Sequence, residues 1–227
     1  MKLTAEGISR RYFRNGRGTN FFYAVEKADF AVEAGTLVEI VGRSGSGKTT
    51  LIHMLGGMLT PSEGHVFLDG EDLYALDDDK RSLLRNRNIG IIPQVQTGLA
   101  SLTVRENILA PVAMYGDASE KEARAGELLA MMDIAGLEEV YSNELSGGEL
   151  RRMAIARALI LDPQIIIADE PTGDLDDQTT ERVLQLLRSR ADAGAAVIMV
   201  THERAALDYA DRVYRMEKGV LTEEKAF

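Results

Sequence analysis

The segment Leu37-Val38-Glu39-Ile40-Val41-Gly42-Arg43-Ser44-Gly45-Ser46-Gly47-Lys48-Thr49 runs from a short, mostly apolar stretch into three glycines, a lysine and a threonine. Its last eight residues fit G-x-x-x-x-G-K-[ST]. Leu51, Ile52, Leu55 and Met58 follow at helical spacing, so the segment reads as strand, loop and helix. Glycines let backbone N–H groups turn inward as an anion nest, and the helix start adds unpaired N–H groups at the positive end of its dipole. Lys48 would reach the terminal phosphates of a nucleoside triphosphate, and the Thr49 hydroxyl would bind Mg²⁺. The plain alternative is a glycine-rich turn that happens to precede Lys-Thr, expected in roughly one chain in a hundred. The strand–loop–helix context argues against it.

Outward from this segment, Ile89 to Ile92, Ile165 to Ala168 and Ala196 to Val200 are further continuous apolar runs. Each is too short for a helix and too continuous for a one-sided sheet, as expected of parallel strands buried on both faces. Helical patterns lie between several of them, which predicts an α/β class with crossover connections. Leu3 to Ser9, Ala28 to Glu33 and His65 to Leu68 predict antiparallel β structure. Arg212 to Thr222 predicts a hairpin turning near Lys218-Gly219. From Thr103 to about Leu161 the pattern is almost wholly helical. Thr103 with Glu106, and Ser119 with Glu122, have capping-box spacing. The run Asp77-Asp78-Asp79 reads as a solvated loop or a helix start.

Two further places carry chemistry. Asp169-Glu170 follows the run Ile165 to Ala168, and open α/β sheets bind ligands at the carboxyl ends of their strands. Beside a phosphate loop, Asp169 would hold Mg²⁺ directly or through water, and Glu170 would polarise a water aimed at the γ-phosphate. Leu145-Ser146-Gly147-Gly148-Glu149 opens the helix of Met153, Ile155, Ala156, Ala158 and Leu159. Ser146 and Glu149 have capping-box spacing, but two glycines in a first turn weaken a helix and offer bare backbone to a phosphate. The expectation is therefore a second anion site rather than a mere cap. Because the first loop already cradles its own nucleotide, this start suggests another anion, and a two-chain arrangement in which each helix caps the partner's nucleotide would account for it.

Composition narrows the class. With 227 residues, 45% of them apolar, the chain supports one substantial core, or a core and a subdomain. Its formal charge of −10 gives no footprint for gripping nucleic-acid phosphates. Zero Cys excludes disulfides, thiolate zinc sites and Cys nucleophiles. No apolar run approaches the ~18 to 20 residues of a membrane span, and the first residues are too polar for a signal peptide. A cytoplasmic chain without direct membrane insertion is expected, with any membrane role coming through a partner.

Together these residues resemble the nucleotide-binding subunit of an ATP-binding cassette (ABC) transporter, over nearly the whole chain and in the family's motif order. Gly42 to Thr49 is similar to Walker A, with Thr50 following in the phosphate-binding helix turn. Ile165 to Asp169 is similar to Walker B, with Glu170 in the catalytic glutamate position, and Leu145 to Glu149 to the LSGGQ signature. The resemblance implies that Gln94 is the Q-loop glutamine touching Mg²⁺ and attacking water. It also implies that Gly173-Asp174-Leu175-Asp176 is the D-loop, with Asp176 near nucleotide, that His202 is the switch histidine, and that Tyr12 stacks on adenine. His202 also follows Ala196 to Val200 at the strand-end level of Glu170, within reach of a γ-phosphate. Departures are Glu149 for Gln, Glu203 where Asp is usual, and Gln96 where an aromatic residue is frequent in a segment facing the membrane partner. Leu55-Gly56-Gly57, Leu102 to Asn107, Glu144 to Glu149 and Asp169 to Asp176 look like the lipoprotein-release and macrolide-export branch.

The resemblance implies a P-loop NTPase core, a mostly parallel sheet with helices on both faces, carrying an antiparallel β subdomain and an inserted helical subdomain. Residues 1–227 form one ABC ATPase domain, with the core and β subdomain in 1–93 and 162–227 and the helical subdomain in about 94–161. The implied activity is Mg²⁺-dependent ATP hydrolysis, with Glu170, His202, Gln94 and Lys48 catalytic. Nucleotide would contact Tyr12, Gly42, Arg43, Ser44, Gly45, Ser46, Gly47, Lys48, Thr49, Thr50 and Asp176, and Ser146, Gly147 and Gly148 of a second copy. Thr49, Gln94 and Asp169 are the metal set. The implied partners are a second copy and an integral membrane permease, which places the chain on the inner face of the cell membrane. A soluble assembly-scaffold ATPase is the alternative, and its sequence would look almost identical. A nucleic-acid machine is disfavoured by the acidic charge, the lack of Cys and the lack of room for a coiled coil. His53 and His65 read as structural, Phe13 and Tyr23 as rivals of Tyr12 or core aromatics, and Arg10, Arg11, Arg14 and Arg17 as a solvated surface with weak headgroup contact as the lesser reading.

Overall fold

The chain begins as two long antiparallel strands, β1 (Lys2–Phe13) and β2 (Phe21–Glu33), and continues through β3 (Leu37–Val41) into helix α1 (Lys48–Leu55). Next come β4 (Glu63–Leu68), the short β5 (Glu71–Asp72), α2 (Asp78–Asn88) and β6 (Ile89–Ile92). Three helices follow, α3 (Val104–Ala113), α4 (Glu122–Met131) and α5 (Gly147–Leu159), interspersed with 3₁₀ turns. The remainder is β7 (Ile165–Asp169), α6 (Asp177–Asp192), β8 (Ala196–Val200), a 3₁₀ turn at Arg204–Tyr209 and the hairpin β9 (Arg212–Glu217) and β10 (Val220–Glu224). The computed structural model describes residues 2–13, 21–95, 98–173 and 175–224.

The central sheet has the order β10-β9-β3-β8-β7-β6, parallel except for β10. Its strands are buried on both sides, which is why they are nearly continuous apolar runs. Leu37, Ile166, Ala168, Val197 and Met199 face a core shared with α3 to α6. Val38, Ile40, Ile165, Ile167, Ala196, Ile198 and Val200 face a second core shared with α1 and the sheet β2-β1-β4-β5. The expected α/β class, with a mostly parallel core and a separate antiparallel sheet, is the observed one. Glu39 interrupts the pattern, a carboxyl only 1% exposed in the middle of β3.

Local signals decide where the helices start and stop. Asp77 caps α2 by accepting from the Lys80 N–H, and Asp78 and Asp79 fill its first turn, so the acidic run is a helix start. Thr103 and Glu106 form the expected capping box. Ser119 and Glu122 do not: Asp117 accepts from the Ser119 N–H and opens a 3₁₀ turn, so α4 starts behind it at Lys121 with no side-chain cap. Helix α1 also ends before Met58, because Gly56 caps it and Gly57 takes φ 69°. Among the described residues no helix is long and apolar enough to cross a membrane.

Candidate nucleotide site

Because β3, β6, β7 and β8 are parallel, the loops leaving their carboxyl ends gather along one edge of the sheet. Those loops carry Gly42 to Lys48, Gln94, Glu170 and His202 respectively, and Asp169 ends β7. They line one cleft of about 1240 Å³ together with Arg43, Ser44, Gly45, Ser46, Gly47, Thr49 and Thr50.

The glycine loop is clamped from two sides. A Cβ on Gly42 would lie 2.2 Å from the Met216 carbonyl oxygen of β9. At Gly47, φ is 111° and a Cβ would lie 2.1 Å from the Ala24 carbonyl oxygen of β2. Only glycine lets these strands approach so closely. The Gly219 N–H, in the β9–β10 turn, donates to the Ser46 carbonyl at 2.9 Å. Lys48 Nζ folds back on the loop, donating to the carbonyl oxygens of Gly42 at 2.7 Å and Arg43 at 3.1 Å.

Thr49 Oγ1 donates to Asp169 Oδ2 at 2.8 Å, joining α1 to the end of β7. Asp169 is 3% exposed, and burial raises its carboxyl above the usual range, opposed by the Thr49 hydrogen bond and assisted by the nearby Glu170 charge. Glu170 stands in the left-handed region at φ 49°, uncommon without a glycine. Its N–H donates to the Val200 carbonyl at 2.7 Å, and its Oε2 lies 2.9 Å from Nδ1 of the exposed His202. Gln94 contributes its carbonyl to Arg151 Nη2 at 3.3 Å, so the structure brings Gln94, Glu170, His202, Lys48, Thr49 and Asp169 together.

The antiparallel sheet supplies the aromatic wall, Tyr12, Phe22 and Tyr23. The rings of Tyr12 and Phe22 are 5.9 Å apart, and the Arg10 guanidinium lies 4.9 Å from the centre of the Tyr12 ring. Arg10 also donates to the Thr60 carbonyl at 2.8 Å, so it is a packed side chain rather than part of a solvated patch. Phe13 is 74% exposed and outside the cleft, and none of these rings is core.

Ser146, Gly147, Gly148 and Asp176 do not line this cleft. Ser146 does form the capping box that the two glycines argued against. Its N–H and Oγ–H both donate to Glu149 Oε2, at 2.8 and 2.6 Å, and its Oγ accepts from the Glu149 N–H at 3.4 Å. With Ser146 as cap the glycines fall at the first two helical positions, where their weak propensity is offset by two satisfied donors. Asp176 caps α6 through the Thr179 N–H and Oγ1. His65 pairs with Asp72 at 2.7 Å on the antiparallel sheet, and His53 sits in the last turn of α1. Gln96, Asp174, Arg14 and Arg17 lie outside the described residues.

The profile of the ABC transporter family matches residues 25–173, about two thirds of the chain and most of the cleft. The chain belongs to the ABC transporter family. Over 98% of its length it is 39% identical to the lipoprotein-releasing system ATP-binding protein LolD of Chromohalobacter salexigens, covering 93% of that protein. It is 42% identical to LolD of Psychrobacter arcticus, over 96% of each chain. The match to the macrolide export ATP-binding/permease protein MacB of Mannheimia succiniciproducens, 39% identical, uses 94% of this chain and 33% of that protein. A dimeric ATP-binding cassette in a post-hydrolysis state bound to ADP and Pi superimposes with a TM-score of 0.92 at 33% identity, over 99% of both chains. This chain is an ABC transporter ATP-binding subunit rather than an unrelated P-loop protein.

In this ABC subunit the structure adds residues that the sequence reading missed. Arg151 reaches the cleft from α5, Glu39 lies behind it, and Phe22, Ala24, Val95, Lys218 and Gly219 complete its walls. Glu39, a charge inside an otherwise apolar strand, was a visible signal. Arg151 gave none, because Arg152 beside it looks the same in sequence.

Proposed function

We propose that this chain binds and hydrolyses ATP with Mg²⁺, and that ATP-driven pairing of two copies works a separate membrane permease of the lipoprotein-release or export type. The observation that carries this reading is the pairing of Thr49 with Asp169 and of Glu170 with His202 in one cleft. A hydroxyl and a buried carboxylate side by side are an oxygen donor set suited to a small hard cation that keeps waters and phosphate oxygens as its other ligands. Thr49 and Asp169 would hold Mg²⁺, with Gln94 beside them, and the ion would neutralise charge on the phosphates.

Lys48 would release the Gly42 and Arg43 carbonyls for phosphate oxygens, while the backbone N–H groups of residues 43–50 cradle them. Glu170 accepts a proton from water as its oxygen bonds to the γ-phosphorus and the bond to the departing ADP oxygen breaks. His202 orients Glu170 and contacts the γ-phosphate. Tyr12 offers a ring for adenine, whereas Ser146, Gly147, Gly148 and Asp176 would meet the nucleotide of the second copy. Residues from about 94 to 161 act as a helical subdomain, and 1–93 with 162–227 as the core and β subdomain. The permease would hold the chain at the inner face of the cell membrane. Relatives named for lipoprotein release and macrolide export favour this over an assembly scaffold.

The test is Glu170→Gln with ATP and Mg²⁺. The variant should bind ATP, hydrolyse it on the order of 10²-fold more slowly or worse, and accumulate as a dimer in sedimentation. Wild-type turnover would sink the assignment of Glu170.

A further inference from the structure

Arg151 is the fifth residue after the Ser146 cap, yet its side chain leaves α5 for the strand ends and is 4% exposed. Its Nη1 donates to the Glu170 carbonyl and its Nη2 to the Gln94 carbonyl. The guanidinium also lies against the Gly173 backbone, where an added Cβ would be 3.4 Å from both Nη atoms. One planar cation thus joins the helix opened by Ser146 to the two loops that carry Gln94 and Glu170.

The Glu170 peptide explains why this matters. A non-glycine residue at positive φ persists only where its surroundings hold it. Here the N–H is tied to Val200 across the sheet, and the carbonyl accepts from Arg151 on the helical side and, at 3.3 Å, from the Gly173 N–H. Without the Arg151 bond the Glu170 carbonyl keeps, among the described residues, only the longer Gly173 contact, so the 170–173 turn loosens from α5 and the carboxylate beside His202 loses part of its positioning. Hydrogen bonds from a charged, rigid fork are the strong and directional kind suited to this task.

We propose that Arg151 is a positioning residue that fixes Glu170 and Gln94 relative to α5, so that the seating of the Ser146 helix start is transmitted to the hydrolytic side chains of the same chain. The proposal rests on the hydrolytic reading above. Arg151 acts through the two carbonyls it holds.

The test uses the full chain as Arg151→Met and Arg151→Lys, with two readouts. Hydrogen–deuterium exchange should rise in Arg151→Met at residues 94–95 and 170–173 and stay unchanged in β1 to β5. This readout does not depend on turnover. Misplacement of about 1 Å at a reacting group costs on the order of 10²-fold. The expected kinetic result is therefore a kcat loss of roughly that size, with the Kd for a fluorescent ATP analogue within about threefold of wild type. Arg151→Lys, with one compact head for two carbonyls, should fall between. Unchanged exchange and kcat in folded Arg151→Met would overturn the proposal, as would equal losses of kcat and affinity. If Arg151→Met does not fold, Arg151→Lys decides by the same criteria. A wild-type chain that binds no nucleotide would instead overturn the hydrolytic reading, and the exchange comparison would still judge Arg151.

Discussion

Glu39 and Glu170 act on each other across the central sheet, one buried within β3 and the other at the turn after β7. Burial raises the Glu39 carboxyl to about 7, and the negative charge of Glu170 adds to the effect. Among the described residues, Oε2 of Glu39 has no hydrogen-bond partner, so nothing on that oxygen compensates ionisation.

A stability prediction follows, with a definite sign. The folded-state value lies above the ordinary glutamate value of 4.5, so the folded chain holds this proton more tightly than the unfolded chain. The contribution is fully present below about pH 4.5 and is lost as pH rises through 7. The difference corresponds to about 3 kcal/mol. Glu39→Gln cannot ionise, so its stability relative to wild type should improve by about that amount from pH 4 to pH 8. Urea titrations of both proteins across that range are the measurement. A constant gap between them would show that Glu39 does not titrate in the folded state.

The clamped loop yields a graded comparison between two glycines at positive φ. Gly45 takes φ 75° with nothing within 4 Å of an added Cβ, so Gly45→Ala should cost backbone strain only, roughly 1–2 kcal/mol. Gly47→Ala must also displace the Ala24 carbonyl from 2.1 Å, which forces β2 away from the loop. Its loss should exceed about 4 kcal/mol and abolish nucleotide binding. Equal melting temperatures for the two variants would refute the clamp.

Much of the fold was legible because burial on both faces writes parallel strands as apolar runs. β3, β6 and β8 have the bounds expected from sequence, and β7 extends one residue further, to Asp169. Motif spacing also placed Thr49, Asp169, Glu170, Gln94 and His202, since all leave the same edge of the sheet. Capping was less legible. The spacing of Ser119 and Glu122 matches a box as well as that of Thr103 and Glu106, but Asp117 engages the Ser119 N–H first. Arg151 was invisible because its role depends on which way a side chain leaves a helix, and that is set by its tertiary neighbours.

His202 is exposed, and its contact with Glu170 is the simplest to remove. Truncation should leave the fold intact, because the His202 side chain lies mostly in solvent. His202→Ala is expected to retain ATP binding and lose kcat on the order of 10²-fold. Thermal melts should agree with wild type to within about 2 °C. A variant that keeps at least half the wild-type kcat would remove His202 from the hydrolytic set.

The Ser146–Glu149 box makes the start of α5 its own anion holder. Glu149 Oε2 engages both the N–H and the hydroxyl of Ser146, and this pairing lowers the Glu149 carboxyl below its usual range. On the proposed pairing of two copies, a phosphate from the second chain would approach a helix start already carrying a negative charge. Gln at 149 can still accept from the Ser146 N–H, so the cap survives, and the lost charge–dipole attraction costs about 0.3–1 kcal/mol of stability. Removing the charge should, however, favour an incoming phosphate. In the Glu170→Gln background, Glu149→Gln is therefore expected to lower the protein concentration needed for ATP-dependent dimers, by roughly threefold to tenfold if about 1 kcal/mol of repulsion is relieved. Sedimentation equilibrium with ATP and Mg²⁺, repeated at raised ionic strength, measures this. The advantage should shrink as salt screens the carboxylate. Dimerisation weakened by Glu149→Gln would mean that the carboxylate is needed to present Ser146 rather than to hold the phosphate off.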